Sequence, residues 1–384
     1  TLIILIGICV GLEIPILTRI IESNESNVRK NLANIFTFDY IGGLIGSILF
    51  PLLLFPKLGF ITTAFLVGAI NLSTSLLIIF KYKRYILNYN AIKFISIVCF
   101  IIILLFLGTG NLIAKKIEKG LYRDDVILSK QTPYQKIILT KHKDDLRLFL
   151  DGNLQFSSND EYRYHEALVH VPMLYARNHK RVLILGGGDG LAVREVLKYT
   201  DVEEIVLVDI DKEMTDLCSN DKRLTKLNNN SLTNEKVTVL NKDGYMYVQE
   251  NNQKFDVIII DFPDPNNESL NKLYTNVFYN YIQNNLTENG VMVTQSTSPY
   301  YAKKSFWCIN KTIKSQFKTV MPYHLQVPSF GDWGFNLAFN GNNNLKDISV
   351  ETRYLNSENI NSMFIFGKDE KILLDNIEEN NMFK

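Results

Sequence analysis

The sequence predicts an α/β protein: N-terminal transmembrane helices, then a small antiparallel β unit, then a doubly wound sheet. Three observations predict it. Nearly all the long apolar runs lie before residue 114, although charge is balanced over the chain, with 41 Lys plus Arg against 40 Asp plus Glu. The stretch RVLILGGGDG at 181–190 reads as a buried parallel strand breaking into glycines, and IVLVD at 205–209 reads as the next strand ending on an acid. Further apolar runs then close on carboxylates one after another, as the strands of a Rossmann-like, methyltransferase-type sheet do.

The apolar runs are Leu2 to Leu17, Ile35 to Phe55, Leu58 to Phe80 and Phe94 to Ile113. About 20 apolar residues cover a bilayer, so the runs are read as four spans over 1–113. Gly42, Gly43, Gly46 and Gly68 are positions where helices could approach closely. The chain opens on Thr1 inside an apolar run, which is read as a bundle lacking its N-terminal part. Lys and Arg are shared almost evenly between the two sides of the spans, so charge leaves their orientation open. Residues 114–131 are read as a linker.

Beyond the linker the pattern alternates. Lys136 to Thr140, Leu146 to Leu150 and Leu154 to Ser157 are expected strands, with a turn at Asp151-Gly152-Asn153. A helix from Glu161 to Leu174, ended near Pro172, completes a unit placed at 132–180. The catalytic-type sheet is placed at 181–340. Its later strands are expected at 237–240, 256–260 and 291–294, with a last pair around 320–326 and 335–339, and a C-terminal extension at 341–384. Asn-rich patches at 228–230 and 342–344 read as loop tips without chemistry.

The acids fall in register. Asp189 follows the first strand of the sheet, Asp209 and Asp211 the second, Asp243 (before Gly244) the third, Asp261 and Asp264 the fourth. All reach the carboxyl edge, where open α/β sheets bind ligands. Asp211, taken singly, reads as a helix N-cap. Glycines at 186 and 188 let backbone approach a nucleoside, and Asp209, 23 positions after Gly186, can take the ribose hydroxyls. A pyrophosphate would meet like charge at Asp189, which argues against a dinucleotide and for a cationic nucleoside. The net charge of +1 gives no case for nucleic acid, and the four scattered cysteines, read as small buried side chains, give no metal spacing.

Seven blocks in order carry a resemblance: Tyr134-Gln135, DGNLQFSSNDEYRYHE (151–166), GGGDG (186–190), VDID (208–211), KDG (242–244), FDVIIIDFPDP (255–265) and VPSFGDWGF (327–335). The chain resembles the polyamine aminopropyltransferases, the spermidine synthase family. GLEIPIL at 11–17 resembles an internal helix of its membrane-anchored branch.

The resemblance implies transfer of the aminopropyl group of decarboxylated S-adenosylmethionine to putrescine or another small polyamine, giving spermidine and methylthioadenosine without a prosthetic group or metal. It assigns Asp261 as base. Gln135, Gly186, Gly188, Asp189, Asp209, Asp243 and Gly244 fall to the nucleoside co-substrate, and Gln135, Tyr164, His165, Asp189 and Asp264 to the amines. It implies a multi-pass protein of the cell membrane, in contact with the lipid bilayer, with its catalytic domain in the cytoplasm and self-associating through that domain. Two departures bear on the acceptor: Phe262-Pro263 stand in the gatekeeping loop where soluble members have two serines, and Phe330 offers no hydroxyl. The alternatives are an S-adenosylmethionine-dependent methyltransferase, disfavoured by Asp189, and a non-catalytic membrane polyamine sensor.

Overall fold

The computed structural model describes residues 2–22, 28–265, 268–371 and 377–381, and the chain divides into two compact units, Thr1–Leu121 and Tyr122–Lys384. The first unit holds α1 (Leu2–Glu22), α2 (Val28–Leu49), α3 (Phe55–Lys81) and α4 (Tyr89–Leu121). A π-helical turn, Phe50–Leu54, joins α2 to α3, and Gly59 inside α3 takes φ 72° and ψ 173°. Pro51 and Pro56 cannot donate to the helical ladder, and a glycine at positive φ breaks the helical backbone outright.

Among the described residues two stretches are long and apolar enough to cross a membrane: Leu32–Lys81, 50 residues, and Tyr89–Gly110, 22 residues. Ile3–Ile16 is shorter. The second and third expected runs both lie in the 50-residue stretch, which the π turn and Gly59 interrupt. α3 packs on α4 through small residues, since a Cβ at Gly68 would lie 3.2 Å from Ile103 and one at Gly110 would lie 3.1 Å from the Thr62 hydroxyl. Phe65 stacks on Phe106 at 5.4 Å beside them. A Cβ at Gly42, Gly43 or Gly46 would meet no other element within 4 Å among the described residues, so the close approach expected there is not made.

The second unit begins with four antiparallel strands in sequential order, β1 (Asp125–Gln131), β2 (Lys136–His142), β3 (Asp145–Leu150) and β4 (Asn153–Ser157). The expected linker is therefore absent: residues 114–131 hold the end of α4 and the whole of β1. Strand β1 lacks the clean alternation of its neighbours because a bulge between Val126 and Leu128 shifts its register. Next comes α5 (Glu161–Tyr175), which runs through Pro172 instead of ending there. The proline removes one helical donor, yet Ala176 N–H still bonds to the Pro172 carbonyl, so the last turn closes beyond it.

The main sheet has seven strands: β5 (Arg181–Gly186), β6 (Glu204–Val208), β7 (Val237–Leu240), β8 (Phe255–Asp261), β9 (Leu286–Gln295), β10 (Thr319–Val327) and β11 (Gly331–Phe339). Their order is β10-β11-β9-β8-β5-β6-β7. Strands β5 to β9 pair in parallel, while β11 runs antiparallel to β9 and β10 antiparallel to β11, so the sheet is mixed. Helix α6 (Leu191–Val196) follows β5, α7 (Lys212–Asn220) and α8 (Lys222–Leu227) follow β6, and α9 (Gly244–Glu250) follows β7. The later helices are α10 (Glu268–Asn271), α11 (Asn276–Asn285), α12 (Lys303–Lys314) and α13 (Ser357–Ser362).

Alternate residues of the central strands serve two cores. Val182, Ile184, Val257 and Ile259 pack with α5 and α6 on one face; Leu183, Leu185, Ile258 and Ile260 pack with α9 and α11 on the other. Burial on both faces explains the unbroken apolar runs, each such side chain stabilising the fold by roughly 1.5–3 kcal/mol. The stretch 341–384 is not a mere extension, since Leu355, Ile360 and Met363 belong to the first core and Leu345, Ile348 and Val350 pack against it. Of the cysteines only Cys218 is buried; Cys9 and Cys99 are exposed and Cys308 is intermediate.

Candidate active site

Parallel pairing aligns the ends of β5, β6, β7 and β8, so the loops that follow them meet at one edge. There Gly186 takes φ 82° and a Cβ would overlap the Asp261 carbonyl, so the first glycine lets β5 and β8 close on each other. Gly188 serves a second approach. Its N–H donates to Asp209 Oδ2 at 3.0 Å, and a Cβ would lie 2.6 Å from that oxygen. Gly188→Ala should therefore keep the fold by circular dichroism but raise KM for the nucleoside co-substrate by ~10-fold, about 1.4 kcal/mol of binding.

Asp209 uses its other oxygen to accept from Asp211 N–H at 2.8 Å. Burial raises its pKa to about 6, with the Asp211 charge adding to the effect and the two backbone donors opposing it. Asp211 is the N-cap of α7, as expected, accepting from Glu213 N–H at 3.1 Å. Its Oδ2 also accepts from Gln135 Nε2 at 2.8 Å and Thr132 Oγ1 at 2.9 Å, which ties the β1–β2 turn to the edge of the sheet and brings Gln135 to the cleft.

Asp189 accepts from Leu191 N–H at 2.8 Å through Oδ1. Its other oxygen has no hydrogen-bond donor among the described residues. Burial raises its pKa, against the opposing effect of His165. The turn is held from below by Asn228, whose Nδ2 donates to the Asp189 carbonyl at 2.9 Å and to the Cys218 carbonyl at 3.0 Å. Asn228 is thus a buried support, while Asn229 and Asn230 are exposed at positive φ, as a loop tip requires.

Asp261 is half-buried, and the Tyr164 hydroxyl donates to its Oδ1 at 2.5 Å. Desolvation raises the Asp261 pKa to about 6 although His165 and the Tyr164 hydroxyl both pull it down. The Tyr164 ring is fixed by edge contacts with Phe330 at 5.9 Å and packing on Phe335 at 5.3 Å. Phe330 itself lies at the tip of the β10–β11 hairpin, where Asp160 accepts from Ser329 N–H at 2.6 Å and its hydroxyl at 2.8 Å. Asp264 accepts from Gln295 Nε2 at 3.2 Å and is shifted upward by burial.

Asp243 stands apart electrostatically. It caps α9 through Tyr245 N–H at 2.8 Å and pairs with Lys272 at 2.7 Å; burial pushes its pKa up, but Lys272 and the backbone donors outweigh that and hold it below the usual range. The Phe262 ring lies over Gly244, where a Cβ would sit 2.8 Å from its Cζ. A base could stack against such an apolar floor with a polar acceptor at its rim.

Three participants escape the sequence reading. Gln295 donates to the Phe262 carbonyl at 2.6 Å as well as to Asp264, holding the loop after β8. Its position at the carboxyl end of β9 continues the register of acids and could have been found by it. Glu161 and Arg194 are the others. Glu161 lies four residues before His165, the spacing at which helical side chains meet.

Among the described residues no Lys or Arg pairs with Asp189, Asp209, Asp261 or Asp264. Such an edge suits a cation that brings its own positive charge. The class so defined is that of α/β group-transfer enzymes acting on a cationic nucleoside.

Residues 161–349 match the spermine/spermidine synthase domain. The polyamine aminopropyltransferase of Leptospira interrogans is 46% identical over 376 residues, covering 96% of this chain and 74% of that protein. The polyamine aminopropyltransferase of Oceanobacillus iheyensis is 42% identical over 379 residues, covering 98% and 74%. A crystal structure of spermidine synthase in complex with the transition-state analogue AdoDATO superposes with a TM-score of 0.59 at 29% identity, over 63% of this chain and 85% of that one. Spermidine synthase from Thermotoga maritima gives 0.57 at 29% identity, over 63% and 84%. The chain belongs to the polyamine aminopropyltransferase (spermidine synthase) family.

Proposed function

We propose that this chain moves the aminopropyl group of decarboxylated S-adenosylmethionine to putrescine, releasing spermidine and methylthioadenosine. The observation that carries the reading is the row of half-buried carboxylates at the sheet edge, unpaired by Lys or Arg among the described residues, with Asp261 at its centre under the Tyr164 hydroxyl. Both substrates are cations, and neither needs a metal or a prosthetic group to react.

In the step itself the acceptor nitrogen attacks the methylene beside the sulfonium, the C–N bond forms, the C–S bond breaks, and the sulfur leaves as a neutral thioether. The nitrogen sheds one proton, for which Asp261 is the acceptor. Asp209 takes the ribose hydroxyls and Asp243 the adenine amino group, with Gly186, Gly188 and Gly244 admitting the nucleoside. Asp189 holds the ammonium of the aminopropyl arm; Gln135, Tyr164, His165 and Asp264 orient the acceptor. The free oxygen of Asp189 and the exposed face of Asp261 support this division of labour.

The full chain incubated with decarboxylated S-adenosylmethionine and separately with putrescine, cadaverine and spermidine should give an aminopropylated product, greatest with putrescine, by mass detection. No product from any amine overturns the reading. Asp261 must be ionised to accept a proton, and its pKa is raised from the ordinary 3.8 to about 6. In the free enzyme kcat/KM should therefore fall tenfold per unit as pH drops below about 6, well above the range of an ordinary aspartate.

We also assign the first unit to the cell membrane as a multi-pass anchor, with the second unit self-associating in the cytoplasm. The 50-residue stretch Leu32–Lys81 would be roughly 75 Å long as a straight helix, more than twice a bilayer core, so the break at Gly59 supports two crossings there. Alkaline carbonate washing should leave the chain in the membrane pellet, and release to the supernatant would refute the anchor.

A further inference from the structure

Behind His165, one of the residues that orient the acceptor, lies a buried charged cluster made of Glu161, Arg194 and Glu195. Arg194 grips Glu161 with both terminal nitrogens, Nη1 to Oε1 at 2.8 Å and Nη2 to Oε2 at 2.9 Å, and its Nε donates to Glu195 at 2.9 Å. Glu161 is almost wholly buried, and its Oε2 together with its backbone oxygen receives His165 Nδ1, each at 2.8 Å. Both partners of Nδ1 are acceptors, so Nδ1 carries the hydrogen. The tautomer is fixed, and any second proton must sit on Nε2. Because Arg194 holds both oxygens of Glu161, the carboxylate cannot rotate away from the ring.

We propose that Glu161 and Arg194 are positioning residues for aminopropyl transfer: Arg194 locks Glu161, and Glu161 locks the His165 ring, Nδ1 inward, beside the Tyr164 that donates to Asp261. The proposal rests on the reading of Asp261 as the proton acceptor. Glu161 and Tyr164 of its own helix contact the ring, the charges of Asp189 in the turn after β5 and Asp261 at the end of β8 act on it, and Arg194 of α6 acts through Glu161. Burial alone would lower the His165 pKa, but the Glu161 hydrogen bond and charge, aided by Asp189 and Asp261, raise it to about 9.

Two consequences follow for the chemistry. A cation near Asp261 favours its carboxylate over its acid, keeping the acceptor ionised in a cleft whose burial works the other way. The same cation near the bound amine disfavours alkylammonium and favours the neutral amine that attacks. His165 thus biases both ends of the proton transfer toward the reactive charge states without touching the bond that breaks.

The test uses the full chain in detergent, with nitrogen-15-labelled histidine and the five histidines assigned by single substitution. In Glu161→Gln the His165 titration should fall by at least about two pH units, and the acid limb of kcat/KM should move up by about one unit. His165→Asn should move the limb to the same extent, and Glu161→Gln added to His165→Asn should move it no further. Arg194→Lys, which keeps the charge but not the two-pronged grip, should give a smaller shift in the same direction.

An unchanged His165 titration in Glu161→Gln, or a full further shift of the limb in the double variant, overturns the proposal. If Glu161→Gln fails to fold, Arg194→Lys reads the same two quantities, and neither moving refutes it equally. A role confined to stability would lower the thermal midpoint and leave both untouched. The histidine titration needs no turnover, so absence of activity in every form, which would sink the proposed reaction, stays distinct from failure of this inference.

Discussion

Asp261→Asn should lower kcat by ~10² or more at neutral pH while leaving co-substrate affinity within a few-fold. The substitution keeps the size of the side chain, and the Tyr164 hydroxyl that donates to Oδ1 can donate equally to the amide oxygen, so the surroundings need not rearrange. What it removes is a proton acceptor and a half-buried negative charge. An alkylammonium with a pKa near that of lysine, about 10.4, is neutral in roughly one molecule in a thousand at pH 7.5. A carboxylate with a pKa of about 6 is a weak base against such a group, so it serves the minority of amine that the cleft has helped to discharge. Most of the barrier reduction then falls to alignment of nitrogen, carbon and sulfur, for which up to ~7–11 kcal/mol is available. The asparagine variant should therefore lose the limb near pH 6 and gain rate steadily toward pH 10, as solvent takes over the discharge. A pH–rate profile with mass detection, alongside calorimetric binding of the co-substrate, reads both effects. Turnover within fivefold of the parent would remove Asp261 from the role of base.

The fold of the second unit was legible because its strands are buried on both faces and leave unbroken runs of Val, Ile and Leu bounded by glycine or acid. Phe255–Asp261, where Phe255, Val257, Ile258, Ile259 and Ile260 are all buried, is found at its expected place for that reason. The β1 strand was missed because it is only partly buried and bulged, so alternation between faces is blurred. The boundary between the second and third apolar runs was legible in the prolines at 51 and 56, near which the backbone forms a π turn and then breaks at Gly59.

At the site, residues marked by strand ends were found, since register alone places Asp189, Asp209, Asp243 and Asp261 at one edge. Residues whose part depends on tertiary contact were not. Arg194 meets Glu161 across two helices and 33 positions, and Asn228 supports a turn 39 positions away. No local pattern encodes either pairing.

Asp189→Asn should cost ~10-fold to 100-fold in kcat/KM with decarboxylated S-adenosylmethionine, and it should narrow or invert the preference for that compound over the carboxylated form. Two roles meet in this side chain, and its two oxygens separate them. Oδ1 accepts from Leu191 N–H and shapes the turn into α6, a task that asparagine performs about as well. The other oxygen has no donor among the described residues, and desolvation of this half-buried side chain raises the Asp189 pKa despite the charge of His165. An ammonium on the aminopropyl arm would complete it with a charge-assisted hydrogen bond worth roughly 1.5–3 kcal/mol, and an α-carboxylate in the same place would be repelled. Asparagine keeps the turn and removes both the attraction and the repulsion. Affinities of the parent and the variant for the two nucleosides, measured by calorimetry at pH 7.5, therefore give a ratio that a pure turn-forming role leaves fixed. An unchanged ratio would assign Asp189 to the turn alone and reopen methyl transfer from the carboxylated nucleoside. A ratio shifted by ten or more, with the thermal midpoint held, places the ammonium on the free oxygen.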